Sequence, residues 1–148
     1  MFVHQLTDDE CEAVLRRSNI GRLGCARDNQ PYVVPISFRF AAPHNDAKCL
    51  YSFANAGQKI YWMRRNPLVC VEVDDVTDHL HWTTVIVFGR FEELTAERGE
   101  AADRAYDVLR GRQEWWLPAG AKTAVSERYV PIVYRIQIDS MSGRCAAR

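Results

Sequence analysis

Ile132-Val133-Tyr134-Arg135-Ile136-Gln137-Ile138-Asp139 sets Ile132, Tyr134, Ile136 and Ile138 on one side of an extended chain and Val133, Arg135, Gln137 and Asp139 on the other. A period of two marks a β-strand with one face against a core. The same period recurs upstream. Ile20 to Ala26 and Tyr32 to Phe40 are strand-like runs separated by Arg27-Asp28-Asn29-Gln30, whose Asp-Asn pair favours a turn, so the two runs form a hairpin. In the second run Val34, Ile36, Phe38 and Phe40 share one face, while Val33, Pro35, Ser37 and Arg39 share the other. Pro35 has no amide proton to give a ladder. It marks an edge, a bulge or a stretch of backbone that serves something other than a neighbouring strand.

Three further runs bring the expected strands to six: Cys49 to Phe53, Leu68 to Val73, and Thr83 to Phe91 with Gly89 inside it. Ala41 to Ala47 reads as a loop and Asp74 to His81 as a polar connection. Helices punctuate this pattern. Thr7-Asp8-Asp9-Glu10 is a capping box, with Leu6 and Cys11 placed as a hydrophobic staple, and the helix behind it should bury Cys11, Val14 and Leu15 as far as about Arg17. A second short helix opens after Asn55-Ala56-Gly57 and is stopped by Asn66-Pro67. Ala96 to Leu109 has a third helical pattern, and Gly111 to Glu127 is a loop holding Trp115-Trp116-Leu117-Pro118. The sum is a mainly β fold, a six-stranded antiparallel barrel with peripheral helices.

Its size agrees with a single domain over residues 1–148. Nineteen Lys+Arg balance nineteen Asp+Glu, which argues against a general nucleic-acid binder. Five scattered cysteines without a C-x-x-C pair give neither a disulfide framework nor a zinc site, and a reducing cytoplasm is the simplest setting. No run approaches 18 apolar residues, and the first ten residues lack a basic export signal, so no membrane partner is expected.

Chemistry-bearing patterns are sparse. Asp74-Asp75 and Glu92-Glu93 read as surface charges rather than paired catalytic carboxylates, and His79-x-His81 has no third metal ligand at a persuasive spacing. No G-x-S-x-G elbow and no phosphate-binding glycine loop is present. What remains is suited to an anion. Ser52 ends a strand, and Lys59 stands early in the helix after Gly57, so a hydroxyl, a helix N-terminus and an ammonium can converge. Thr83 and Thr84 add hydroxyls, and Trp116 either covers a planar ligand or plugs the barrel.

Five segments occur in a telling order: Gly21-Arg22-Leu23, Pro31 to Phe38, Leu50-Tyr51-Ser52-Phe53 with Gly57-Gln58-Lys59, Asn66 to Val73, and Thr83 to Arg90. In that order they resemble the pyridoxamine 5′-phosphate oxidase-like flavin-binding split-barrel family, in particular its nitroimidazole-resistance-like branch. The resemblance spans about Thr7 to Gly143 and implies a split-barrel homodimer holding FMN, with FAD as the alternative, at the subunit interface. Carried to this chain, it lays Val34, Pro35, Ile36 and Ser37 along the flavin ring. It puts Ser52, Lys59 and Arg22 on the phosphate, Thr83 and Thr84 on the phosphate or ribityl chain, and Trp116 over the ring from the partner. It implies a flavin-dependent oxidoreductase acting on a small molecule, with no side chain obliged to be catalytic. A non-catalytic flavin or haem carrier, or a sensor, is the alternative. The family's C-terminal Arg-x-His is missing, since no histidine follows His81, so oxidation of a vitamin B6 phosphate is not expected. Tyr51-Ser52-Phe53 likewise lacks a histidine common at that place in the family.

Overall fold

The computed structural model describes residues 2–43, 46–95, 99 and 132–147. Among them are strands β1 (Phe2–Gln5), β2 (Ile20–Arg27), β3 (Gln30–Ser37), β4 (Arg39–Ala41), β5 (Cys49–Ala54), β6 (Leu68–Asp78), β7 (His81–Glu93) and β8 (Ile132–Ala147), with helices α1 (Asp8–Arg17) and α2 (Gln58–Arg65). All pairings are antiparallel, in the order β3-β2-β6-β7-β8-β5-β4, with β1 added to β8. The mainly β split-barrel class holds. Six expected strands become eight, and the meander is not simple, because β6 lies beside β2 and β8 beside β5.

Each difference has a local cause. The run Tyr32 to Phe40 changes partner at Phe38, because β2 begins at Ile20: Ser37 still faces Ile20, whereas Arg39 faces Tyr51 of β5. The Asp74 to His81 segment continues the β6–β7 ladder, with Asp74 opposite Thr84 and Asp75 opposite Thr83, and a register shift between Val76 and Asp78 precedes the turn at 79–80. The last strand runs on to Ala147, and its end recruits β1, which has no alternating apolar pattern to announce it. The helix expected over Ala96 to Leu109 lies almost wholly outside the described residues. Neither described helix is long and apolar enough to cross a membrane.

α1 forms as its sequence dictates. The Thr7 hydroxyl accepts from the Glu10 amide at 3.3 Å, and the Glu10 carboxylate accepts from the Thr7 amide at 2.7 Å. Cys11, Val14 and Leu15 are buried beneath it. Leu6 and Cys11 both cover Gly143 of β8, filling the space a side chain there would need. Inside the barrel, Leu23, Val71, Val73, Val85, Val87, Tyr134 and Ile136 are fully buried. A smaller cluster of Cys49, Tyr51, Leu94 and Val133 lies on the other side of β5 and β8. There the Arg135 guanidinium, itself buried, donates to Glu92 at 2.6 Å and to Asp46 at 3.3 Å.

β7 shifts register against β8 at Phe88/Gly89, and a Cβ on Gly89 would run into the Gln137 carbonyl and the Ile136 side chain. Rigid backbone cannot yield as a flexible side chain can. Gly89→Ala should therefore cost about 1–3 kcal/mol, the usual penalty of overpacking. Urea unfolding measures it, and an unchanged midpoint would contradict the close approach.

Candidate functional site

The site starts with the open edge of β3, the end of the sheet path. Antiparallel strands alternate between residue pairs that exchange hydrogen bonds and pairs that do not. The Phe38 amide donates to the Asn19 carbonyl, so by alternation Ile36 and Val34 also direct their backbone groups at β2. Pro35 and Ser37 direct theirs away from it. Pro35 is thus placed where its missing N–H costs no ladder bond. The outward carbonyl of Ser37 accepts the Ser52 hydroxyl of β5 at 2.6 Å, and this bond ties β3, one end of the strand path, to β5. Ser52 is 2% exposed, so its proton is committed to that carbonyl. Behind it lies the fully buried Tyr134, opposite Ser52 in register, whose phenol burial pushes up to about 12.

Side chains alternate too. Ile36 points into the core and Val34 is half-buried against it, while Pro35 and Ser37 face outward. Directly across the outer face from Pro35 stands Arg22, and beyond it Glu72 of β6. The Arg22 guanidinium lies 2.5 Å from Asp74 and 3.6 Å from Glu72, and the Thr84 hydroxyl donates to Glu72 at 3.0 Å. Arg22 and Thr84 are therefore gathered, with their charge and proton matched by carboxylates. Thr83 points to the opposite face of β7 from Thr84 and does not join them. From sequence Glu72 carries no role and Asp74 reads as a surface charge. Their signal is the alternation of Val69, Val71 and Val73 inward with Glu72 and Asp74 outward.

Lys59 belongs to neither group. It sits in the first turn of α2, whose N-cap Gly57 offers no side-chain cap and whose first turn has no acidic residue. α1, with its capping box and Asp8, Asp9 and Glu10, shows what a self-sufficient N-terminus looks like. The Lys59 side chain is half-buried, and among the described residues no carboxylate pairs with it. Burial holds its pKa below the ordinary lysine value. A cation beside a helix N-terminus without a side-chain cap is a combination that an anionic group would satisfy. Val34 to Ser37 with Ser52 thus form one group, Arg22 with Thr84 a second, and Lys59 a third. Trp116 lies outside the described residues.

An antiparallel barrel with one strand edge left open is the arrangement of the split-barrel class. A sequence model of the pyridoxamine 5′-phosphate oxidase family matches residues 7–145, and the chain belongs to that family. An uncharacterised protein of Rhizobium meliloti strain 1021 is 36% identical over 99% of this chain and 97% of its own length. A crystal structure of an FAD-binding protein from Mesorhizobium loti is 38% identical, covers 100% of this chain and 99% of its own, and superposes with a TM-score of 0.77. A 5-nitroimidazole antibiotic resistance protein of Bacteroides thetaiotaomicron shares the fold at a TM-score of 0.65 and 20% identity, covering 98% of this chain and 89% of its own.

The half-buried Lys59 ammonium destabilises the protein on its own. Between its lowered native pKa and the ordinary value the unfolded chain holds more protons, so stability rises with pH across that alkaline window. Lys59→Met should remove that rise and stabilise the ligand-free protein at neutral pH by about 0.3–1 kcal/mol, the size of a charge–helix-end repulsion. Thermal melts of both proteins from neutral pH to pH 11 test this; a less stable variant would show that Lys59 has a compensating partner.

Proposed function

We propose that this chain binds a flavin nucleotide, FMN or FAD, and passes electrons between it and a small molecule. The uncapped, acid-free start of α2 carrying an unpaired, half-buried Lys59 is the observation that bears most on this reading, because it fits a phosphate and nothing else among the described residues uses it. Similarity to the FAD-binding Mesorhizobium loti protein over the whole chain supports a flavin as its bearer and favours FAD as much as FMN. When bound, a flavin supplies reversible electron and hydride transfer. The chain's residues bind and orient it. Lys59 and the α2 amides hold the phosphate, while the Ser37 amide on the open edge of β3 offers a donor to the polar rim of the ring. Ser52 acts by fixing Ser37. Arg22 and Thr84, tied to Glu72 and Asp74, frame the outer face beside Pro35.

The functional unit is a homodimer. Ile20 (62% exposed), Val33 (68%), Leu68 (64%) and Phe88 (55%) stand on the same outer face as Arg22 and Pro35, so apolar area and ligand-facing residues coincide. Such a patch marks an association surface. Phe88→Asp should yield a monomer by sedimentation and lose flavin uptake with it. A flavin-loaded monomer would separate the two.

Titrating FMN, FAD and riboflavin into cofactor-stripped protein tests the phosphate assignment. FMN or FAD should bind far more tightly than riboflavin. Lys59→Met should weaken only the phosphorylated ligands, by roughly 10- to 100-fold for a charge-assisted bond of about 1.5–3 kcal/mol. Equal affinity for riboflavin and FMN would overturn it. Bound flavin that neither NADH nor NADPH reduces, and that neither quinones nor nitroaromatics reoxidise, would instead favour a carrier.

A further inference from the structure

A nucleophile and a base meet at the far end of β8, away from the β3 edge. His4 of β1 lies directly opposite Cys145, and its Nε2 is 2.8 Å from the Cys145 Sγ. A thiol within hydrogen-bond reach of an imidazole is the core of an activated nucleophile. The Glu10 carboxylate of α1 is committed to the Thr7 amide and hydroxyl. The other groups around the pair come from every neighbouring element. Thr83 of β7 faces Cys145 in register, and Asp75 of β6 faces Thr83 and pairs with Arg17 of α1 at 3.8 Å.

The remaining cysteines make the contrast. Cys11, Cys25 and Cys49 are buried, and burial pushes all three thiols up, that of Cys49 to about 11. Cys70 is half-buried with no base beside it among the described residues, its Sγ turned toward Gly24 on the outer face. Among the described residues, Cys145 is the one cysteine that combines partial exposure with a base.

We propose that Cys145, with His4 as its base, is a modification site for soft carbon electrophiles of the α,β-unsaturated carbonyl class. The S–H proton passes to Nε2 of a His4 protonated at Nδ1 while the sulfur pair forms a C–S bond to the β-carbon. The C=C pair moves onto the carbonyl, and the α-carbon then takes the proton back from the imidazolium. The sum is addition of S–H across C=C, with no electrons gained or lost. The reaction is independent of the flavin reading, since His4, Cys145 and Thr83 lie on the opposite sheet face from Arg22, Pro35 and Thr84.

Labelling the whole protein with substoichiometric N-ethylmaleimide at neutral pH, followed by peptide mass mapping, tests this. Cys145 should label at least about tenfold faster than Cys70 in the unmutated protein. His4→Gln, a change on an exposed edge strand, should remove most of that advantage while leaving the Cys70 rate unchanged as a check on the fold. Cys145 labelling no faster than Cys70, or equally fast with and without His4, would overturn the proposal.

Discussion

Everything in this fold hangs on one strand with two edges to fill. β8 keeps β7 along one edge from Tyr134 to Ala146, and its other edge serves β5 over residues 132–137 and β1 over residues 144–147. Between these partners the Ile138 amide donates to the Lys48 carbonyl, and the Gly143 carbonyl accepts the Leu6 amide. Fifteen of its sixteen residues, all but Asp139 at the register shift, thus find partners in three strands, with two connections adding bonds of their own. An unpaired buried backbone group costs as much as a lost hydrogen bond, so this sharing holds β1, β5 and the start of α1 in place. Lys48, in the same connection, also reaches Glu12 of α1.

The candidate site follows from what that arrangement leaves unpaired. With β8 placing β5, Ser52 reaches the Ser37 carbonyl and ties β5 to β3 by a side-chain bond rather than a ladder. The edge of β3 stays open there, and Pro35 keeps it from being extended as a regular ladder. Three residues separate β5 from α2, which has no side-chain cap of its own. An open edge and an uncapped helix end are each mildly unfavourable alone. In the proposed reading an anionic, planar ligand satisfies both, an exchange of stability for function.

Much of this was legible in the residues. Alternation marked six strands, Thr7 to Glu10 marked the first helix by its capping box, and Asn66-Pro67 marked the end of the second, since each is a local effect with a local signature. Pro35 was legible as an edge, a bulge or backbone serving something other than a strand, and the choice among them depended on Asn19 and Phe38. The parts that were not legible depend on distant partners. β1 carries no pattern of its own and exists because the end of β8 has an open edge. The switch at Phe38 depends on where β2 begins. The capture of Arg22 and Thr84 by Glu72 and Asp74 needs the register of three strands, and the opposite faces of Thr83 and Thr84 needed only their adjacency, a simpler signal that two neighbouring hydroxyls can obscure.

The central claim is that the open β3 edge and the α2 N-terminus together hold a flavin nucleotide. Its most direct test is the visible absorption spectrum of the purified, full-length protein, followed by extraction of the bound chromophore and measurement of its mass. The account predicts a flavin spectrum and the mass of FMN or FAD, at about one per chain. A colourless protein that takes up neither nucleotide when they are added would contradict it.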